Sequence, residues 1–336
     1  MTARKALASL AKSTGRLTAA ALRSGARTAA RRFVPTPASK VVPHGYVVDL
    51  PGRGRTFVVD VPGPSTDAPT IVLLHALGCT AYLSWFLTFE HLSRTHRVLS
   101  FDLRWHGRGI RSPRFRFADC ADDVVSVLDQ LGIDTAIMAG YSMGGAVAQL
   151  TWQRHPERVD GLVLCSTARN FRGKHPERLF FTMLTGAMLP LSGYALGRVE
   201  RLAETLPEVP SVDAAEPATW GRAEFRSTSA WSMPEVIGEL GRFNSAPWIG
   251  RVDVPTSVVV TAKDKVIPMR RQRRLAAQID GVHVFTARGG HASIVLDARH
   301  WVPVFLDAVA SVTERMPADA PRALTADEAR IGADDV

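Results

Sequence analysis

The sequence predicts an α/β protein: a mostly parallel, twisted sheet with helices on both faces and a helical lid inserted into it. Three observations carry this. Short apolar runs, each the length of a strand, alternate with amphipathic segments, a pattern that forces parallel strands joined by crossover helices. The alternation breaks once, after Ser166, for roughly eighty residues, too long for a simple connection. Polar residues and glycines gather just beyond the ends of the apolar runs, where sheets of this kind place their chemistry.

In chain order, residues 1–44 form an arm with nine Lys or Arg and no acid. At helical spacing Leu7, Leu10, Leu17 and Ala21 fall on one side, with Lys5, Lys12, Arg16, Arg23 and Arg27 nearly opposite. Three readings stay open: a basic amphipathic helix lying on an anionic membrane surface, a disordered tail, and an acid-free, Arg- and Ser-containing organelle-type presequence. No continuous apolar stretch follows the charges, which speaks against a secretory signal. Pro35-Thr36-Pro37 ends any helix. Tyr46–Leu50 and Thr56–Val61 then flank Pro51-Gly52-Arg53-Gly54 as a hairpin.

The runs Thr70–His75 and Arg97–Asp102 are strands, separated by a helical segment around Trp85–Leu92. Helix Phe117–Leu131, strand Thr135–Tyr141, helix Met143–Arg154 and strand Gly161–Ser166 follow. After the interruption come strand Thr256–Thr261, a helix near Arg270–Ile279, strand Val282–Phe285 and a helix over Trp301–Val312. The expected organisation is an arm over 1–44, a core from 45–167 and 250–312, a lid over 168–249, and an acidic disordered tail over 313–336. The lid carries Leu179-Phe180-Phe181 and Met188-Leu189, with Trp220, Phe225 and Trp231 further on. Most of these should pack the lid itself and a minority should face a pocket.

Composition narrows the function. The chain has 336 residues, 46% hydrophobic and 22% charged, enough to build one large core. The net charge of +9 belongs to the arm, because the Lys and Arg beyond residue 44 only balance the 32 acids. Nucleic-acid binding by the core is therefore not expected. Cys79, Cys120 and Cys165 are few and in no metal-like spacing, which points to a reducing, cytoplasmic setting without disulfides. No run is long enough to span a membrane. With no metal set and no dinucleotide glycine pattern, no cofactor is expected. Oligomeric state is not legible.

Gly140-Tyr141-Ser142-Met143-Gly144 matches G-x-S-x-G between a strand and a helix. Such a turn holds the serine hydroxyl out at the sheet's end, above a helix N-terminus whose dipole favours an oxyanion. Downstream, Asp264 lies just past one strand and His291 just past the last. Asp253 and Asp280 are weaker acid candidates, since neither is followed by the x-x-x-Pro seen after Asp264 at a strand end. His283 is the rival histidine but falls inside a strand. His75 and His106 read as loop-bonding residues, and Cys79 has no dedicated base.

On these motifs, from about Gly45 to Val312, the chain resembles the α/β-hydrolases, in particular lidded bacterial serine esterases and lipases. His75-Ala76-Leu77-Gly78 and Asp102-Leu103-Arg104-Trp105-His106-Gly107-Arg108-Gly109 match two further family landmarks, with Ala76 and Trp105 each standing where glycine is usual. The resemblance implies Ser142 as nucleophile, His291 as base, Asp264 as its orienting acid, and the Leu77 and Met143 amides as the oxyanion hole. Tyr141, His75 and Trp105 are expected near the substrate. The implied activity is hydrolysis of a carboxylic ester with an apolar, lipid-like part. C–C bond hydrolysis, perhydrolysis, or a non-catalytic or acyl-transferring descendant are the alternatives. A serine nucleophile argues against the branches that use aspartate there.

Overall fold

The computed structural model describes residues 43–171 and 233–317. The arm reading, most of the lid with Phe180, Phe181, Trp220, Phe225 and Trp231, and most of the acidic tail lie outside these residues, while Phe243 of the lid is buried in the core with Trp248 packed against it.

Eight strands form one sheet in the order β1-β2-β4-β3-β5-β6-β7-β8. β1 (Gly45–Leu50) and β2 (Gly54–Val61) make the expected antiparallel hairpin, and β2 also runs antiparallel to β4. All later pairings are parallel: β3 (Thr70–Leu74), β4 (Arg97–Phe101), β5 (Ala136–Tyr141), β6 (Val159–Cys165), β7 (Thr256–Thr261) and β8 (His283–Ala287). Every residue of β3, β5 and β7 is buried, which is why Ile71–Leu74, Ala136–Ala139 and Val258–Val260 run apolar without alternating. The edge strands β1 and β8 keep exposed positions.

Strand pleating divides the core in two. Val72 and Leu74 of β3 point to one face, with Met138, Leu162 and the helices α3 (Phe117–Gln130) and α4 (Met143–Arg154). Ile71 and Leu73 point to the other, with Ile137, Val163, Trp85, Trp301 and Phe305. The apolar residues Phe117, Cys120, Val124, Val127 and Leu128 recur at helical spacing and bury one side of α3. Gly132, at φ 61°, stops that helix, and Ile133 N–H turns back to the Leu128 carbonyl at 2.9 Å.

The structure breaks the single segment expected around Trp85–Leu92 into α1 (Ala81–Trp85) and α2 (Phe89–Leu92). Thr80 caps α1 by accepting the Leu83 N–H at 3.1 Å. The Thr88 hydroxyl binds the Trp85 carbonyl at 2.8 Å and closes the turn between the two.

The described end of the insertion is α5 (Met233–Arg242). Its flanks meet where Asn170 bridges Asn244 and Ser245 N–H donates to the Arg169 carbonyl at 2.7 Å. Ser245 Oγ also donates to Gln149 Oε1 on α4 at 2.6 Å, tying this junction to the helix that follows Ser142. Beyond it lie α6 (Met269–Ala276), α7 (Ser293–Leu296) and α8 (Ala298–Thr313).

Candidate active site

Ser142 sits between β5 and α4 with φ 55° and ψ −111°, a conformation that non-glycine residues adopt only when their surroundings enforce it. The surroundings are tight. A Cβ on Gly140 would lie 2.3 Å from the Gly144 carbonyl oxygen, and one on Gly144 would lie 2.1 Å from that of Leu74. Both glycines are therefore steric necessities. Ser142 N–H donates to the Cys165 carbonyl at 2.9 Å, and its own carbonyl accepts the Thr167 hydroxyl at 2.8 Å.

His291, in the loop between β8 and α7, places Nε2 2.9 Å from Ser142 Oγ and Nδ1 2.7 Å from Asp264 Oδ2. A carboxylate accepts, so Nδ1 carries the proton and Nε2 is free to take the serine's. Asp264 follows β7. Its Oδ1 accepts the Val266 and Ile267 N–H groups at 2.9 and 2.8 Å, and its Oδ2 also takes Gln272 Nε2 at 3.2 Å. Gln272 is itself locked, donating to the Ile267 carbonyl at 2.7 Å and accepting the Thr261 N–H at 2.9 Å. Ser142, His291 and Asp264 thus form one hydrogen-bonded line.

A cavity of about 410 Å³ opens on Ser142 and His291. Its walls are mainly apolar, including Leu77, Phe171, Ile237, Leu240, Ile267 and Val295. The Leu77 and Met143 N–H groups donate to no acceptor among the described residues, and Leu77 lines the cavity. Cys79 also faces the cavity, but burial pushes its thiol pKa up, which makes it a poor nucleophile.

Of the other residues picked out in the sequence, Tyr141 lines the cavity, and its hydroxyl donates to the His291 carbonyl at 2.7 Å. It therefore steadies the histidine loop. His75 and Trp105 are not brought to the cavity. The His75 ring is fully buried, with Nε2 accepting the Leu103 N–H at 2.8 Å and Nδ1 donating to the Ala76 carbonyl at 2.8 Å. Burial lowers its pKa to about 4, so it is a neutral strut between the β3 and β4 loops. Trp105 is buried against Phe115, with Nε1 donating to the Ser112 carbonyl at 3.0 Å. His283 is exposed on β8, bonded to Ser311 at 2.7 Å, away from the triad.

Sequence reasoning passed over Gln272. Its signal was faint: it is the one uncharged residue in Arg270-Arg271-Gln272-Arg273-Arg274, and hence the one suited to the helix's inner face. Among the described residues no group of His, Cys, Asp or Glu side chains could hold a metal ion.

Comparison with known proteins agrees with this architecture. Residues 69–298 match the model of the alpha/beta hydrolase fold. A putative carbamate hydrolase, RutD, from Caulobacter sp. strain K31 is 28% identical over 241 residues, covering 69% of this chain and 87% of the relative. Carboxylesterase YbfK of Bacillus subtilis is 34% identical over 137 residues, covering 40% of this chain and 45% of the relative. The crystal structure of an enol-lactonase from Burkholderia xenovorans LB400 superposes with a TM-score of 0.62 at 22% identity, covering 79% of this chain and all of that one. With its sheet order, its strained serine turn and a family match across most of its length, the chain belongs to the alpha/beta hydrolase fold family.

Proposed function

We propose that this protein is a serine hydrolase that cleaves a neutral carboxylic ester with an apolar, lipid-like part. The observation that carries the reading is the line from Ser142 through His291 to Asp264, opening on an apolar cavity. Ser142 Oγ attacks the ester carbonyl while its proton passes to His291 Nε2. Asp264 holds the imidazole in the Nδ1–H form and stabilises the imidazolium. The carbonyl oxygen gains a full negative charge at this point. The Leu77 and Met143 N–H groups receive it, and one such donor is typically worth about 3 kcal/mol. Collapse of the tetrahedral species breaks the C–O bond to the alcohol, which takes the proton from His291. Water then repeats the sequence on the acyl-enzyme and releases the acid.

The core over 45–167 and 250–312 carries this chemistry, and the described flanks of the insertion supply Phe171, Ile237 and Leu240 to the cavity wall. The arm over 1–44 serves as a membrane-seeking segment. No helix among the described residues is long and apolar enough to cross a membrane.

The relative named as a putative carbamate hydrolase favours a second reading, attack by the same triad on a carbamate carbonyl. Hydrolysis of p-nitrophenyl esters from short to long acyl chains, beside a p-nitrophenyl carbamate, tests both in wild type and Ser142→Ala. The ester reading expects a maximum at chains long enough to fill the cavity and none in the variant. Turnover of the carbamate alone would transfer support to the second reading, and equal inertness of both proteins on every substrate would overturn both.

A further inference from the structure

Beyond residue 44 the sequence carries no net charge, yet residues 261–300 hold eight Lys or Arg against three Asp. Of those acids, Asp264 is buried beside His291 and Asp297 is bonded to His300 Nδ1 at 2.7 Å. Lys263, Lys265, Arg270 and Arg288 are exposed, and none has an ion-pair partner among the described residues. They lie together at the carboxyl ends of β7 and β8. Lys263 N–H donates to the Gly289 carbonyl at 2.8 Å, which puts it beside Arg288, and Arg270 stands in the first turn of α6.

This is also where the cavity opens. Val266, next to Lys265, lines the cavity and is still 66% exposed. Leu296, 48% exposed, follows Val295 of the cavity wall. Val266 facing solvent among cations without an ion-pair partner in the described residues, with Leu296 exposed beside the cavity wall, forms the pattern by which proteins seat on anionic bilayers.

We propose that this rim docks the protein on an anionic lipid surface, with Val266 and Leu296 entering the interface and the cavity facing the lipid. Charge complementarity selects the partner's sign. The apolar pair at the mouth selects a bilayer over an acidic protein, which would gain little from it and would plug the cavity. Docking stands apart from the ester-hydrolase reading, and only the use made of the cavity rests on it. No residue of this surface belongs to the N-terminal arm.

The test is co-sedimentation of the full chain with phosphatidylcholine vesicles, with and without phosphatidylglycerol. A cation close to an anionic surface contributes about fivefold to partitioning. Lys263→Gln/Lys265→Gln/Arg270→Gln/Arg288→Gln should therefore weaken binding to the anionic vesicles by at least about tenfold, with little binding to neutral ones. Val266→Ser/Leu296→Ser should weaken it severalfold while leaving the salt dependence intact. Unchanged partitioning of the charge variant overturns the proposal, because the arm alone then accounts for binding. Equal loss of binding to vesicles and to soluble polyaspartate, with no effect of the apolar variant, overturns the lipid assignment. Thermal melts show that each variant is folded, and no readout depends on turnover.

Discussion

Three non-glycine residues among those described have positive φ, each just past a strand's carboxyl end, and two of them, Ser142 and Trp105, do different things with it. Ser142 after β5 has φ 55°, and Trp105 after β4 has φ 66°. Each is enforced by its neighbours. Ser142 is held by Gly140 and Gly144, and the Trp105 loop by Asp102, whose carboxylate accepts the Ala81 and Arg108 N–H groups at 2.8 Å each. The serine turn aims a hydroxyl at an imidazole over an apolar cavity. The tryptophan turn aims an indole into Phe115, where its burial offsets the strain. Strain alone does not mark a reactive residue. What marks it is what the strained side chain meets.

Substitution can break this contrast. Ser142→Ala should lower ester hydrolysis by about 10⁴-fold or more while leaving the urea midpoint almost unchanged. If the variant keeps a tenth of wild-type activity, the serine turn is no more chemical than the tryptophan turn.

Acid should act through three buried histidines, two of which, His75 and His106, support the Trp105 loop. His75 and His96 have pKa values lowered to about 4 and His106 to about 3, chiefly by burial. In the unfolded chain each would titrate near 6.5. Below that pH the unfolded state binds protons that the folded state refuses, so stability is complete above 6.5 and falls as pH drops towards 4. The loss by pH 4.5 should be about 7 kcal/mol, with a slope approaching three protons. Denaturant titrations at pH 7 and 4.5 measure it, and equal stabilities would contradict neutral, buried rings.

Trp105→Gly should do the reverse of Ser142→Ala. Removing a large buried aromatic side chain costs about 3–5 kcal/mol. Relief of the left-handed backbone returns about 1 kcal/mol. A net loss of roughly 2–4 kcal/mol in urea unfolding, with kcat/KM within about tenfold of wild type, would sharpen the contrast. Collapsed activity with unchanged stability would show that the indole serves the substrate after all.

The smallest effect is expected at Gln272. Gln272→Leu removes one donor from Asp264 and strands the Thr261 N–H and the Ile267 carbonyl. A fall of about tenfold in kcat with KM nearly constant is expected. Gln272→Glu puts a second carboxylate beside Asp264, favours the imidazolium, and should raise the pH at which the acid limb of the rate profile falls away. A profile that stays in place would assign Gln272 a purely structural role.

Local chemistry decided how much could be read in advance. The serine turn was legible because its requirements are local: a strand, two glycines without room for a Cβ, and a helix. Asp264 and His291 were legible because strand ends are local too, and the parallel order brings those ends together. Trp105 was read as a substrate neighbour because the sequence shows an aromatic in a glycine's place but not that Phe115 lies behind it. His75 failed for the same reason, since the Leu103 amide that occupies it is 28 residues away. The Tyr141 hydroxyl reaches His291 across 150 residues, a contact no local pattern encodes.

The most direct measurement is intact-protein mass spectrometry after treatment with a fluorophosphonate, followed by mapping of the adduct. A nucleophile activated by His291 predicts one adduct, on Ser142, formed rapidly in wild type, absent in Ser142→Ala and strongly slowed in His291→Ala. A folded wild-type protein that stays unlabelled, or carries its adduct on another residue, would contradict the assignment of Ser142 as the nucleophile.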